Sequence, residues 1–209
     1  QAKKAGVPLV YCNNVGIQNN GKNVFTYDGF STAYNADGTV SASAEMYEDT
    51  ILECTWDTEA GHFVGEGSIA ALPQEPESIY KSLRYGTEKF LHQCGIKKMT
   101  IGLSGGIDSA ITAAMYADIL GAENVLLINL PSVYNSETTK NIAYNLAKNL
   151  GANYAVIPIS HSCEHTEEQL TSTPIINMAS GSTFNLELSN IVKENIQARD
   201  RGARIIAAA

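Results

Sequence analysis

This sequence predicts an α/β protein, and three observations carry that prediction. Residues 7–57 alternate apolar and polar side chains between Asn-Gly and Asp-Gly pairs, which are hairpin signals because glycine takes positive φ at little cost. From residue 78 onward, apolar runs of strand length alternate with helical patterns of ten residues or more, as in βαβ units with a parallel sheet and helices on both faces. Between the two textures, residues 58–77, "TEAGHFVGEGSIAALPQEPE", lose periodicity and collect Gly, Pro and Glu, as a linker does. The expected organisation is a β-rich portion at 1–57, a linker at 58–77 and a doubly wound parallel portion at 78–209.

The elements follow in order from the apolar pattern. After the strands of residues 7–57, a helix is expected at 76–94 and a strand at 97–103, "KKMTIGL". A helix at 108–120, a strand at 124–130 ("NVLLINL"), a helix at 136–150 and a strand at 154–159 ("YAVIPI") come next. "SHSCEHTEE", residues 160–168, reads as a polar loop, and residues 185–207 as a last long helix. Trp56 is expected to pack at the domain boundary, and Glu167 and Glu168 to face solvent.

Composition excludes several classes. A formal net charge of −8 argues against nonspecific binding to a nucleic-acid backbone, so any anionic ligand has to be held locally. Cys12, Cys54, Cys94 and Cys163 form no C-x-x-C pair or Cys/His cluster and read as reduced thiols in a cytoplasmic protein, with Cys12 a buried core thiol. His62, His92, His161 and His165 are scattered and read as solvated rather than metal-ligating. No run approaches the roughly 18 apolar residues of a membrane span. "QAKKAGVPLVYC" lacks a signal-peptide layout and begins without methionine, which gives the expectation that the chain is a piece of something longer.

The chemistry is expected where the strand at 97–103 runs into "LSGGIDS" and then directly into a helix. In an open parallel sheet the ligand crevice lies outside the carboxyl ends of the strands. Gly105 and Gly106 let the backbone come close to a ligand, and the free N–H groups of the following helix favour phosphate. The pattern is neither G-x-x-x-x-G-K-[ST] nor G-x-G-x-x-G. A plain strand-to-helix turn, with Asp108 and Ser109 as helix caps, is the alternative.

S-G-G-x-D-S after a strand resembles the pyrophosphate loop of the N-type ATP pyrophosphatases, the family that includes NAD synthetase, GMP synthetase and asparagine synthetase. The resemblance implies the adenine nucleotide alpha hydrolase-like fold and an ATP site on Gly102, Leu103, Ser104, Gly105, Gly106, Ile107, Asp108 and Ser109. Ser104, Gly105, Gly106 and Ser109 would hold the leaving pyrophosphate, and Asp108 would help hold Mg2+. Residues 128–159 resemble the second βαβ unit of NAD synthetases, in which the backbone around Leu130 seats adenine; Ser132 and Ser136 are turn formers or ligand contacts.

"NIVKENIQARDRGARI", residues 190–205, resembles the synthetase helix that contacts deamido-NAD+. Asn195 and Arg199, four apart on one helix face, are its expected contacts, whereas Arg201 and Arg204 read as a solvated face paired with Glu194 and Asp200. "VYCNNVG" leading to "DGFS" and "ADG" looks like the final strands of a nitrilase-type amidase domain, an α/β/β/α sandwich. The two resemblances together point to the glutamine-dependent NAD+ synthetases. They imply a carbon–nitrogen ligase that amidates deamido-NAD+ with ammonia from glutamine, using ATP and Mg2+, as a cytoplasmic homo-oligomer. The Glu, Lys and Cys of that family's glutaminase would lie upstream of residue 1, so no glutaminase residue is assigned. The rivals are another glutamine-using ATP pyrophosphatase, such as GMP synthetase, and a noncatalytic nucleotide-binding module.

Overall fold

Antiparallel pairs form the first half of the chain, as the alternating pattern requires. The computed structural model describes residues 1–64, 68–71, 74–132 and 137–209, in two compact units, Gln1–Ile96 and Lys97–Ala209. The first unit holds helix α1 (Ala2–Ala5) and strands β1 (Leu9–Tyr11), β2 (Val15–Asn19), β3 (Val24–Asp28), β4 (Thr32–Tyr34), β5 (Val40–Ser43), β6 (Thr55–Asp57) and β7 (His62–Val64). It closes with helix α2 (Glu77–Cys94). A three-stranded antiparallel sheet runs in the order β1-β4-β5, while β2–β3 and β6–β7 are separate hairpins. Gly29, at φ +73°, leaves the space that Val15 Cγ2 fills, so a side chain at 29 would meet both strain and a clash. Helix α2 lies on the β2–β3 hairpin, where a Cβ at Gly86 would stand 2.5 Å from Thr26 Oγ1.

Three expectations for this unit change. Residues 58–64 are not linker: they close the β6–β7 hairpin, because Asp57 Oδ1 accepts from the N–H groups of Glu59 and Ala60 at 2.8 and 2.9 Å. Trp56 packs edge-on against Phe63 of the same hairpin, with ring centroids 5.0 Å apart. Cys12 is exposed, since every residue of the preceding edge strand β1 is exposed too.

The second unit consists of β8 (Met99–Gly102), α3 (Ile107–Leu120), β9 (Val125–Asn129), α4 (Glu137–Leu150), β10 (Asn153–Val156), α5 (Ser160–Ser172), a short hairpin of β11 (Ile175–Ile176) and β12 (Thr183–Phe184), and α6 (Asn190–Ala208). β8, β9 and β10 form a parallel sheet in the order β10-β9-β8. β9 is apolar on both faces and therefore has to be covered on both. Val125 and Leu127 turn to one face and pack with Leu103, Ala113 of α3, and Ala143 and Ala147 of α4. Leu126 and Ile128 turn to the other, against Ile159, Cys163 of α5, and Ile196 and Ile205 of α6. This is the doubly wound arrangement expected, with α3 and α4 on one side and α5 and α6 on the other.

"SHSCEHTEE" is helical, the correction to the loop reading. Its buried stripe reduces to Cys163, too little apolar content for a periodic signal. Glu167 of that helix pairs with Lys193 at 3.0 Å instead of facing solvent alone, while Glu168 is exposed. The last helix begins at Asn190, later than the expected 185, with extended Ser189 as its N-cap. Among the described residues no helix is long and apolar enough to cross a membrane.

Leu127→Ala empties a fully buried position between the sheet and two helices. Urea denaturation should show a loss of about 2–5 kcal/mol, the range for such truncations; an unchanged midpoint would contradict the packing described. Burial pushes the Cys163 thiol up, with Asp200 adding to the shift and Arg201 opposing it. The folded thiol keeps its proton more tightly, so stability falls as pH rises past the ordinary thiol value of about 8.5. In the native chain at pH 8, peptide mapping after iodoacetamide treatment should find Cys12, Cys54 and Cys94 labelled well before Cys163. Equal labelling of all four would contradict this burial.

Candidate functional site

The β8–β9 ladder extends one residue beyond β8: the N–H of Leu103, itself 1% exposed, donates to the Ile128 carbonyl at 2.8 Å. The Leu103 carbonyl then accepts from the side-chain Nδ2 of Asn129, also at 2.8 Å, and the chain turns away at Ser104. Gly105 stands at φ +88°, and a Cβ there would lie 2.5 Å from the Thr139 carbonyl oxygen in the first turn of α4. No other residue fits, because backbone on both sides leaves nothing flexible to move.

Gly106 is extended and is the N-cap of α3, so the cap residue has no side chain to bond the first-turn N–H groups. Asp108 and Ser109 are therefore not the caps of the plain-turn alternative. Instead the two serines hold the loop: Ser104 Oγ lies 3.1 Å from Ser109 Oγ and accepts from the Gly106 N–H at 3.2 Å. Ser109 Oγ donates to the Gly106 carbonyl at 3.0 Å and accepts from the Ser104 N–H at 3.3 Å. The first turn of α3 is thus open at its positive end, the arrangement that attracts phosphate. Asp108 lies exposed in that turn, and its carboxylate makes no hydrogen bond or ion pair among the described residues. Ile107, 70% exposed, points away from the core, so only its backbone serves the loop.

A cavity of about 410 Å³ opens beside the loop at the carboxyl ends of β8 and β9. Gly102, Leu103, Ser104 and Leu130, four of the residues named in the sequence reading, line it, and Ile128, Asn129, Arg201 and Ile205 complete it. A Cβ at Gly102 would come within 2.7 Å of Ile205 Cδ1 on α6, so α6 packs closely there. The Leu130 carbonyl accepts from Arg201 Nε at 3.2 Å. Arg201 is therefore no part of a solvated face, and its expected pairing is corrected: its guanidinium reaches the end of β9. Arg204 does pair with Asp200, at 2.7 Å, but it also donates to Ser162 Oγ of α5 at 2.7 Å and is only partly exposed.

Asn195 and Arg199 are exposed and do not line the cavity. They lie on the α6 segment that precedes Arg201. At a rise of about 1.5 Å per residue Asn195 is about 9 Å further along the helix axis than Arg201. Ser132 is buried, and Ser136 lies outside the described residues. Asn129 and Arg201 escaped the sequence reading. A polar residue ending the apolar run "VLLIN" at the crevice edge was the available signal for Asn129. Among the described residues, no group of three or more His, Cys, Asp or Glu is arranged for a metal ion. A wider concavity of about 670 Å³ in the first unit, beside α1, has no comparable loop.

The family model described as NAD synthase matches residues 79–209. A curated relative, the glutamine-dependent NAD(+) synthetase of Synechocystis sp., is 35% identical over 209 residues, which is 100% of this chain and 35% of the relative. The enzyme of the same name from Rhodobacter capsulatus is 32% identical over 205 residues, 98% of this chain and 35% of its own. The chain thus spans about a third of the length of the curated relatives it matches. Among solved structures, a glutamine-dependent NAD+ synthetase from Acinetobacter baumannii in complex with ADP is similar with a TM-score of 0.79 at 26% identity, over 99% of this chain and 36% of that one.

Gly105→Ala tests the loop geometry directly. Strain at positive φ together with the clash against the Thr139 carbonyl should lower stability by at least about 1–3 kcal/mol in urea denaturation. A variant as stable as the parent would mean that the loop is not held as described.

Proposed function

The chain belongs to the NAD synthase family, and on that premise we propose that it forms part of a glutamine-dependent NAD+ synthetase. In this reading residues 1–57 are the end of the nitrilase-like glutaminase portion and residues 78–209 the start of the synthetase portion, working in the cytoplasm as a homo-oligomer. The observation that carries the proposal is the serine-knit loop 103–109, open to the first turn of α3 and set beside a cavity at the carboxyl end of the sheet. The Acinetobacter relative is solved in complex with ADP, which supports an adenine nucleotide as a ligand.

The reaction has two steps. The nicotinate carboxylate of deamido-NAD+ attacks the α phosphorus of ATP and the bond to the β-phosphate oxygen breaks, giving a carboxyl adenylate and pyrophosphate. Ammonia released from glutamine then adds to the activated carbonyl, AMP leaves, and a proton is lost to give the nicotinamide of NAD+. Negative charge builds on the departing pyrophosphate in the first step. The N–H groups of the first turn of α3, which have no partner within the helix, would receive it. Leu130 offers its main chain to adenine at the cavity edge, and Asn195 and Arg199 offer an amide and a guanidinium to deamido-NAD+.

Mg2+ is the metal this reading calls for, and Asp108 is the side chain that would hold it. The Asp108 carboxylate has no partner among the described residues, and a single carboxylate with phosphate oxygens is the usual way Mg2+ is held beside a triphosphate. The cation would neutralise charge on the phosphates; Asp108 would hold it and the loop would hold the anion.

The direct test is to incubate the whole protein that carries this chain with ATP–Mg2+ and deamido-NAD+, adding glutamine or ammonium, and to follow pyrophosphate, AMP and NAD+ by mass spectrometry. Pyrophosphate release that depends on deamido-NAD+ is the expected result. ATP binding with no such release overturns the assignment. Asp108→Ala should abolish turnover while leaving the circular-dichroism spectrum unchanged, and near-normal turnover would sink its metal role. Arg199→Ala should raise KM for deamido-NAD+ by about tenfold or more, the size of one charge-assisted contact, with KM for ATP little changed.

A further inference from the structure

Asn129 is the one polar side chain of β9, 4% exposed, at the end of a strand otherwise made of Val, Leu and Ile. Its Nδ2 reaches across to the adjacent strand and donates to the Leu103 carbonyl at 2.8 Å, a contact between residues 26 apart in sequence. Both backbone groups of Leu103 are thereby held by β9, the N–H by the Ile128 carbonyl and the C=O by the Asn129 side chain. The side-chain amide supplies a donor at the point where the ladder of main-chain bonds ends and the loop begins.

The Leu103 carbonyl and the Ser104 N–H belong to one rigid peptide plane. Fixing the carbonyl fixes the direction of that N–H, which donates to Ser109 Oγ at 3.3 Å and so joins the serine pair of the loop. We infer that Asn129 is a positioning residue of the phosphate loop, acting through the Leu103–Ser104 peptide. The inference rests on the proposed reading of residues 103–109 as phosphate-binding. Without the amide, the buried carbonyl loses its partner, the peptide is free to rotate, and the Ser104 N–H and the hydroxyls bonded to it lose their alignment.

The test uses the full chain and isothermal titration with three probes: ATP–Mg2+, pyrophosphate–Mg2+ and adenosine. Asn129→Asp keeps the shape but replaces the donor with an acceptor. It should weaken pyrophosphate and ATP about tenfold or more, as expected for one buried hydrogen bond turned repulsive, and leave adenosine within about twofold. Asn129→Ser removes the amide without adding charge, and serves if the aspartate variant fails to fold; the same selective loss is expected. Unchanged pyrophosphate affinity, or equal weakening of pyrophosphate and adenosine, overturns the inference, because a merely structural role has no reason to distinguish the two probes. Wild-type chain that binds neither ATP nor pyrophosphate would overturn the phosphate reading of the loop itself, and the inference with it.

Discussion

Burial of β9 on both faces sets the position of every element around the site. Its alternate residues face two separate layers of helices, so a shift of one residue would exchange Val125 and Leu127 for Leu126 and Ile128 across the sheet. Both sets are apolar, so hydrophobicity alone does not fix that register. What distinguishes the faces is shape: the first face meets Ala113, Ala143 and Ala147, which let α3 and α4 come close, while the second meets the larger Ile159, Ile196 and Ile205. With the register fixed, β8 and β9 end side by side, Leu103 beside Ile128 and Asn129, and the loop and the cavity open from the same edge.

A chain of net charge −8 holds an anion only where local donors outweigh the long-range repulsion. In the proposed reading the loop would do this with uncharged donors, since residues 102–109 contain no lysine or arginine. Backbone N–H groups and two hydroxyls are fixed in direction, whereas a lysine would bring a mobile charge. The cost is conformational, and it falls on Gly105, whose left-handed backbone and close approach to the Thr139 carbonyl tie the loop to the first turn of α4. Anything that moves that turn moves the loop.

Most of the second unit was legible because β8, α3, β9 and α4 combine apolar periodicity with clear turn residues, and the S-G-G-x-D-S sequence sits at their junction. α5 was not legible: it buries little beyond Cys163, and its remaining residues are the Ser, His, Glu and Thr of a typical loop. The β6–β7 hairpin was missed because Gly61 and Asp57, which make its turn, were read as part of a region without periodicity. Cys12 failed for a different reason, as alternation identifies a strand but does not say whether either face is covered. Within the site, the glycines and serines carried their own signal through spacing. Arg201 and Asn129 did not, because each acts on a main-chain carbonyl that only the fold brings near.

α6 links the two halves of the proposed chemistry. Its C-terminal part lies on β8, where Ile205 occupies the space left by Gly102 and the Ala208 carbonyl accepts from Thr100 Oγ1 at 3.3 Å. One turn earlier, Arg201 stands at the cavity and holds the Leu130 carbonyl. Arg199 follows within about 3 Å of axial rise and Asn195 about 6 Å beyond it, so one rigid rod passes from the sheet, along the cavity, to the exposed pair. Arg204 and Asp200 both bond Ser162 of α5, which ties the rod to its neighbour. Attack of a carboxylate on a phosphorus requires the two reactants to be held within about 3–3.5 Å in a defined orientation. In the proposed reading, a single helix that lines the cavity with Arg201 and Ile205, and presents a guanidinium two residues and an amide six residues before Arg201, would couple the placement of both nucleotides to one register.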